Sequence, residues 1–222
     1  MIIRRRKLIA GTAAMTLEYE STSHDMAPDQ FLNEDEMHDD DRVSADTPDW
    51  SRERCVGFWD PGRRLLRSIR SYQSWKRRGI PWRWLTKYWV LQHHFWSVVT
   101  GADIPLNCEI GGGLLLMHPN GVVIFPDAVI GPNCQIFQQV TIGVGGSRPG
   151  APVLGGHVDV GAGAKILGGV KIGNHALIGA NAVVLQDVPR GATAVGVPAR
   201  IILASDSGDQ VTLEDKQLDD AR

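Results

Sequence analysis

Apolar side chains, most of them β-branched, return at every sixth residue through the second half of the chain. They are Ile104, Ile110 and Leu116; after a two-residue slip Ile124, Ile130, Ile136 and Ile142; then Leu154, Val160, Ile166, Ile172, Ile178 and Val184. Four places after these ladder positions stand smaller side chains: Cys108, Ala128, Cys134, Val140, Ala164, Val170, Ala176 and Ala182. A period of six is neither the 3.6 of an amphipathic helix nor the simple alternation of a half-buried strand. It describes a short flat strand, a corner and another short strand, with the ladder residue pointing inward at each repeat. Three hexads close one triangular coil, and coils stacked at the strand spacing of about 4.8 Å join each backbone to the next. The spacing predicts a parallel β-helix over 101–202. The stretch between Ile142 and Leu154 keeps a multiple of six but contains Gly145, Gly146, Pro149, Gly150 and Pro152, so it reads as a loop thrown out of the coil.

Upstream the pattern changes. Leu65, Leu66, Ile69 and Tyr72 fall at helical spacing among Arg63, Arg64, Arg67 and Arg70, from Pro61 to the stop at Gly79 and Pro81, and a second helix is predicted over about 82–99. Residues 1–55 are polar and acidic with little apolar periodicity, too poor in buriable surface to offset their ordering entropy, and are expected to be a disordered leader. The chain therefore divides into that leader, a basic Trp-rich helical segment over 56–100, the β-helix over 101–202 and a polar tail over 203–222.

Composition sharpens this division. Between Gly101 and Gly196 lie 20 of the 25 glycines, ruinous for long helices and suited to a fold that turns constantly. The formal charge of −2 gives no global field to hold nucleic acid, but it conceals segregation. Twelve Asp or Glu and one Arg lie between Glu18 and Asp49; eleven Arg or Lys and two acids lie between Arg52 and Lys87. Six of the seven Trp fall between Trp59 and Trp96. A basic helix pair carrying that much indole either packs as a lid on the next domain or a sister subunit, the favoured reading, or rests on an anionic membrane face through residues 59–96. The three cysteines cannot all pair and lack zinc or redox spacing, which fits a reducing, cytoplasmic compartment. The start, Arg4 to Lys7 followed by Leu8 to Met15, is similar to a short export signal, but its apolar stretch holds Gly and Thr and no cleavage site follows. His24 and His38 stand beside carboxylates in a tail read as solvated.

The stretches Ala102 to Pro105, His118 to Val123, Gln138 to Gly143, Gly161 to Gly168 and Gly191 to Arg200 resemble the hexapeptide-repeat acyltransferases, and within them the serine acetyltransferases. The resemblance covers about 101–202. It implies a left-handed parallel β-helix, so that the fold class is mainly β, preceded by a short α-helical segment and the leader. It also implies assembly as trimers or pairs of trimers, and acetyl-CoA as acyl donor. Acetyl transfer from a thioester to an alcohol requires removal of the hydroxyl proton as the oxygen attacks. An imidazole suits the task, and a carboxylate on its other nitrogen fixes the tautomer. By resemblance His118 is that base and Asp103 that partner. By count alone the two lie on neighbouring rungs and not on one face, so the slip at Pro119, Asn120 and Gly121 must bring His118 round. Gly143, Gly161, Gly163 and Gly179 offer candidate backbone donors for the oxyanion. The acetyl-CoA arm is expected beside Gly161, Ala162, Gly163, Ala164 and Lys165 and near Arg200, the cations facing phosphates. No metal and no nucleic acid is expected.

The sequence departs from that family at the acceptor. Serine acetyltransferases usually read Asp-His-Ala-Thr-Gly around the base and Arg-His-Pro in the external loop; here stand Met117-His118-Pro119-Asn120-Gly121 and Gly150-Ala151-Pro152. Both groups that hold the amino acid in the family are replaced. A buried ammonium needs a counter-charge that Met117 cannot supply. Arg148 is a candidate replacement cation and His157 a candidate replacement histidine, although the eighteen residues between His157 and His175 make a stack on an outer corner the simpler reading. A Met-lined mouth bearing Asn120 would accept a sugar hydroxyl. L-Serine and a surface-polysaccharide hydroxyl, the latter at the inner face of a membrane, both stay open. A zinc enzyme of the carbonic anhydrase sort and a non-catalytic scaffold rank below them.

Overall fold

The structure, a computed structural model, describes residues 43–57, 59–78 and 83–203. The export-like start, His24, His38 and the tail after Leu203 lie outside the described residues. Two helices, α1 (Pro61–Arg77) and α2 (Arg83–Thr100), precede fourteen short strands. Helix α1 starts where the sequence places it: Pro61 opens the first turn, and the Asp60 carboxylate accepts the Arg63 amide.

The strands wind three to a coil. The first coil holds β1 (Glu109–Ile110), β2 (Leu115–Leu116) and β3 (Val123–Ile124); the second β4 (Val129–Ile130), β5 (Gln135–Ile136) and β6 (Thr141–Gly143). The third holds β7 (Val153–Leu154), β8 (Asp159–Val160) and β9 (Lys165–Leu167); the fourth β10 (Lys171–Ile172), β11 (Leu177–Ile178) and β12 (Val183–Val184). A fifth begins with β13 (Thr193–Val195), against which β14 (Arg200–Ile202) folds back antiparallel. Between coils the sheets are parallel, giving faces β1-β4-β7-β10, β2-β5-β8-β11-β13 and β3-β6-β9-β12. Ladder residue sits on ladder residue, as in Ile110↔Ile130↔Leu154↔Ile172. Every ladder side chain and every small residue four places on is buried. The predicted β-helix is present.

The hydrogen bonds between coils alternate, ladder residues bonding to the preceding coil and the residues beside them to the following one. Along the first face the amides of Gly111, Gly131, Gly155 and Gly173 donate to Ile130, Leu154, Ile172 and Val188, each to the coil that follows. The carbonyls of the first coil therefore face outward at the N-terminal end, where an unpaired peptide group is costly to bury. The helices cover this end. Arg70 of α1 donates to Ile110 O and Gly111 O, Gln73 to Leu106 O and Cys108 O at 3.0 Å, and His93 Nε2 of α2 to Ile104 O at 2.8 Å. Leu65, Leu66 and Ile69 continue the apolar core between these donors. Helix α1 is thus a lid on the prism, the packing expected of this segment.

The N-terminal side differs from expectation. Of the leader expected over 1–55, residues 43–55 form a strap along the corner between the first and second faces. Buried Asn133 holds it: its amide nitrogen donates to Ser44 O (2.6 Å) and Thr47 O (2.7 Å), and its oxygen accepts the Asp49 amide (2.7 Å). Gly156 admits the Ala45 backbone and Gly112 the Trp50 ring at positions where any Cβ would collide. Glu53, in a short 3-10 helix (Trp50–Glu53), accepts Gly113 and Leu114 amides and pairs with Arg70 at 2.8 Å. Polar texture concealed this seat because its partners are backbone groups.

Cys108 and Cys134 are core fillers whose thiols burial pushes up to about 11. A thiol reagent at pH 8 will therefore label half-buried Cys55 in the native protein and reach the other two only after denaturation, counted by mass. Asn133→Gly keeps the positive φ of 59° but removes three hydrogen bonds. It should cost about 1–3 kcal/mol in denaturant titration and open residues 43–53 to proteolysis.

Candidate active site

Two corners of the prism turn on a left-handed residue three places after the ladder position. At the corner between the first and second faces these are Gly113, Asn133, His157, His175 and Gly191; at the next they include Gln139, Gly163 and Asn181. The left-handed turn swings the amide toward the preceding coil, so Gln139, Gly163 and Asn181 donate backward to Asn120, Gln138 and Ala162.

In the first coil this second corner carries two extra residues. Met117 N–H donates to Ile136 O, the turn closes from Val122 N–H to Pro119 O at 3.1 Å, and the Gly121 amide returns to Gly101 O at 2.9 Å. The two-residue slip read in the sequence is this bulge, and it presents Met117, His118 and Asn120 to solvent. Asp103 lies at the start of the third face, bridged to Val123 by its backbone and exposed at its side chain. His118 precedes Val123 by five residues. His118 and Asp103 thus sit on adjacent rungs about the same corner, yet neither side chain is hydrogen-bonded to another described residue.

Up that corner runs a polar ladder. Gln139 Nε2 donates to Asn120 Oδ1 at 2.9 Å, and Lys165 Nζ donates to Gln139 O. Above it Gly161, Ala162, Gly163 and Ala164, then Gly179, leave the edge without large side chains. Arg200, exposed in β14, returns beside Val195 at the top. From the His118 rung to Arg200 the corner rises four coils, about 19 Å at the usual strand spacing. One edge therefore gathers most of the candidates into a long, thin track with an imidazole at its foot. Gln139, which ties two of them together, was missed; its place in the Gln138–Thr141 stretch was the available signal. Gln138 Oε1 is buried beside it without a donor.

Other candidates fall elsewhere. The amides of Gly161, Gly163 and Gly179 are already donated, at 2.8 Å, to Ile178 O, Gln138 O and Ala194 O, so the coil ladder uses the groups expected to wait for an oxyanion. Gly143 ends β6 on the far side of the third face, and its carbonyl accepts the Gly168 amide. Arg148 lies in the loop beyond, its guanidinium 2.7 Å from Asp187, and so points to a carboxylate of its own chain and not to the His118 corner. His157 sits on the first corner, Nδ1 3.0 Å from Nδ1 of His175, in the stack that their separation suggested, and does not replace the missing histidine within one chain. Among the described residues no three His, Cys, Asp or Glu side chains are grouped to hold a metal ion.

Comparison with known proteins finds hexapeptide-repeat transferases and serine acetyltransferases similar to this chain. The family described as bacterial transferase hexapeptide (six repeats) matches residues 151–186. A serine acetyltransferase of Synechococcus elongatus is 44% identical over 117 residues, 52% of this chain and 48% of that protein. The structure of the soybean serine acetyltransferase apoenzyme superposes with a TM-score of 0.55 at 38% identity, covering 64% of this chain and 57% of that one. A serine acetyltransferase solved in complex with CoA superposes with a TM-score of 0.55 at 35% identity, over 65% and 58%. The chain spans about half the length of the curated relatives it matches.

The Asp187 carboxyl is held below the ordinary carboxylate range first by the Lys171 amide and then by Arg148, against a small desolvation. A lowered folded pKa means that the tie is complete above the unfolded value near 3.9 and is lost as pH falls through the folded one. Asp187→Asn should therefore speed deuterium uptake across 144–152 at pH 7, with the difference from the parent closing toward pH 3.

Proposed function

We propose, for a chain that belongs to the hexapeptide-repeat acyltransferase superfamily and is closely related to serine acetyltransferases, that it is an acetyl-CoA-dependent O-acetyltransferase. The observation that supports the reading is the corner itself. His118, with Met117 and Asn120, stands at the foot of an edge stripped of large side chains, the shape an extended thioester arm requires. The likeness to a relative solved with CoA favours the same donor.

In this reading His118 takes the acceptor's hydroxyl proton as its oxygen attacks the thioester carbon. The tetrahedral intermediate then collapses with loss of the CoA thiolate, which receives that proton. Asp103, on the adjacent rung, orients the ring and steadies the imidazolium. Because neither side chain is hydrogen-bonded to another described residue, the pair is completed in this reading when a neighbouring subunit or the substrate closes the corner. The assembly we propose is a homotrimer or a dimer of trimers. Lys165, anchored on Gln139 O, and Arg200 supply positive charge along the track for the donor's phosphates. The compartment we propose is the cytoplasm, where the free thiols of Cys55, Cys108 and Cys134 stay reduced.

L-Serine, giving O-acetylserine for cysteine biosynthesis, is the acceptor the relatives favour. A saccharide hydroxyl is the second reading, supported by two observations. The residue before the base is Met117, 48% exposed and uncharged, and Arg148 is already neutralised by Asp187. Met117 offers the ammonium of an amino acid no counter-charge, whereas a neutral alcohol needs none.

His118→Ala should reduce CoA-thiol release from acetyl-CoA at least about a hundredfold while leaving the melting temperature unchanged. Unaltered release would leave only a scaffold, and stoichiometric zinc lost together with activity on chelation would favour a metal enzyme. A thiol-release assay comparing L-serine with a panel of sugars decides the acceptor: release with serine alone removes the saccharide reading. Sedimentation of the active species should give a multiple of three chains.

A further inference from the structure

Helix α2 has two unlike sides. Trp96, 9% exposed, packs inward against the Trp59 ring and beneath the Arg64 guanidinium, and His93 reaches the first coil. The opposite side is apolar and open: Trp84 is 81% exposed, Tyr88 51%, Leu91 67%, Phe95 53% and Val98 76%. Their spacing of four, three, four and three residues puts all five on one stripe about 21 Å long.

The charge carried by the two helices has one sign. Neither α1 nor α2 contains an Asp or Glu. Arg67, Lys76, Arg77, Arg78 and Lys87 are exposed. Lys87 lies over the Trp84 ring at 5.1 Å, Arg78 over Trp75 at 4.4 Å, and Arg67 shares a crevice with Tyr88 and Trp89. Cations set beside indole and phenol rings around an aliphatic stripe match the layers of a lipid surface. Phosphates meet the cations, the amphipathic rings sit at headgroup depth, and Leu91, Phe95 and Val98 reach the acyl boundary. Among the described residues no helix is long and apolar enough to cross a membrane, so the contact would lie in the plane of the surface. A second copy of the chain fits less well, because pairing two such helices brings basic rims together with no acid on either helix to meet them.

We infer that the outer face of α2, with the exposed cations of α1, is a docking surface for an anionic lipid bilayer. It needs none of the groups placed at the His118 corner and stands independently of the acyl-transfer reading.

The test is flotation of the full-length protein with vesicles of neutral phosphatidylcholine alone or with about 30 mol % phosphatidylglycerol. Binding to the anionic vesicles only, weakened by salt and accompanied by a blue shift of Trp emission, is the expected result. The double substitution Leu91→Glu with Phe95→Glu lies on exposed positions and should keep the melting temperature and thiol release while lowering vesicle binding at least about tenfold. Lys76→Gln with Arg77→Gln should lower binding to anionic vesicles in a folded, active protein. Failure to float with anionic vesicles, or equal binding by the Leu91/Phe95 variant, overturns the inference. So does a parent assembly that dissociates in that variant, which would make the stripe a contact between copies.

Discussion

Each coil of this protein is hydrogen-bonded through its backbone to the coil before it and to the coil after it, and the whole architecture follows from that stacking. Strands of two or three residues cannot hold a pairing by themselves. Here each is fixed because its ladder side chain stacks on those of its neighbours and its peptide groups bond to the coils on both sides. The same arrangement leaves a row of bare carbonyls at the first coil. Arg70, Gln73 and His93 supply donors there, while Leu65, Leu66 and Ile69 close the apolar end of the prism. Basic and amide side chains on α1 are therefore part of the fold as well as of the charge pattern, and Arg70 is closed to an external anion because Glu53 and two carbonyls already occupy it.

The stacking also decides what the corners can do. A coil that uses its strand amides between neighbours leaves few backbone donors for chemistry, and the glycines of 161–179 show this: Gly161, Gly163, Gly173 and Gly179 are glycine because the next coil approaches too closely for a Cβ, and Gly168 and Gly169 because the 144–152 loop does. Function is pushed to side chains at irregularities. The two-residue bulge at 117–120 presents an imidazole, and the loop at 144–152 is tied down by Arg148 and Asp187. The helices that cap the end are left with an outer side that the prism does not need, so its exposed Trp, Leu and Phe are free to serve another surface.

Much of this was legible along the chain. The ladder marked the coils, the slip after Leu116 marked the bulge, and the Gly and Pro cluster marked the loop, because each is a feature of local spacing. The strap over 43–55 was not legible. Its texture is that of a solvated tail, and what seats it is one buried Asn133 amide 84 residues from Asp49, together with the bare backbone of Gly156. Arg148 was legible as a chemically able group, but nothing in its spacing showed that it already has a partner; for His157 the one-coil distance to His175 did suggest the pairing. Asp187 and His175 claim them through contacts that depend on which corner each coil presents.

Order along the chain was enough to specify a six-residue period, the number of coils, the inward side chains and the corner that carries His118, since all of these repeat at short range. Three-dimensional packing settled the rest: which peptide groups are consumed between coils, which polar residues cap the open end, and which apolar face remains uncovered. Those outcomes arise where segments far apart in sequence compete for the same donors and the same surface, and a period carries no record of that competition.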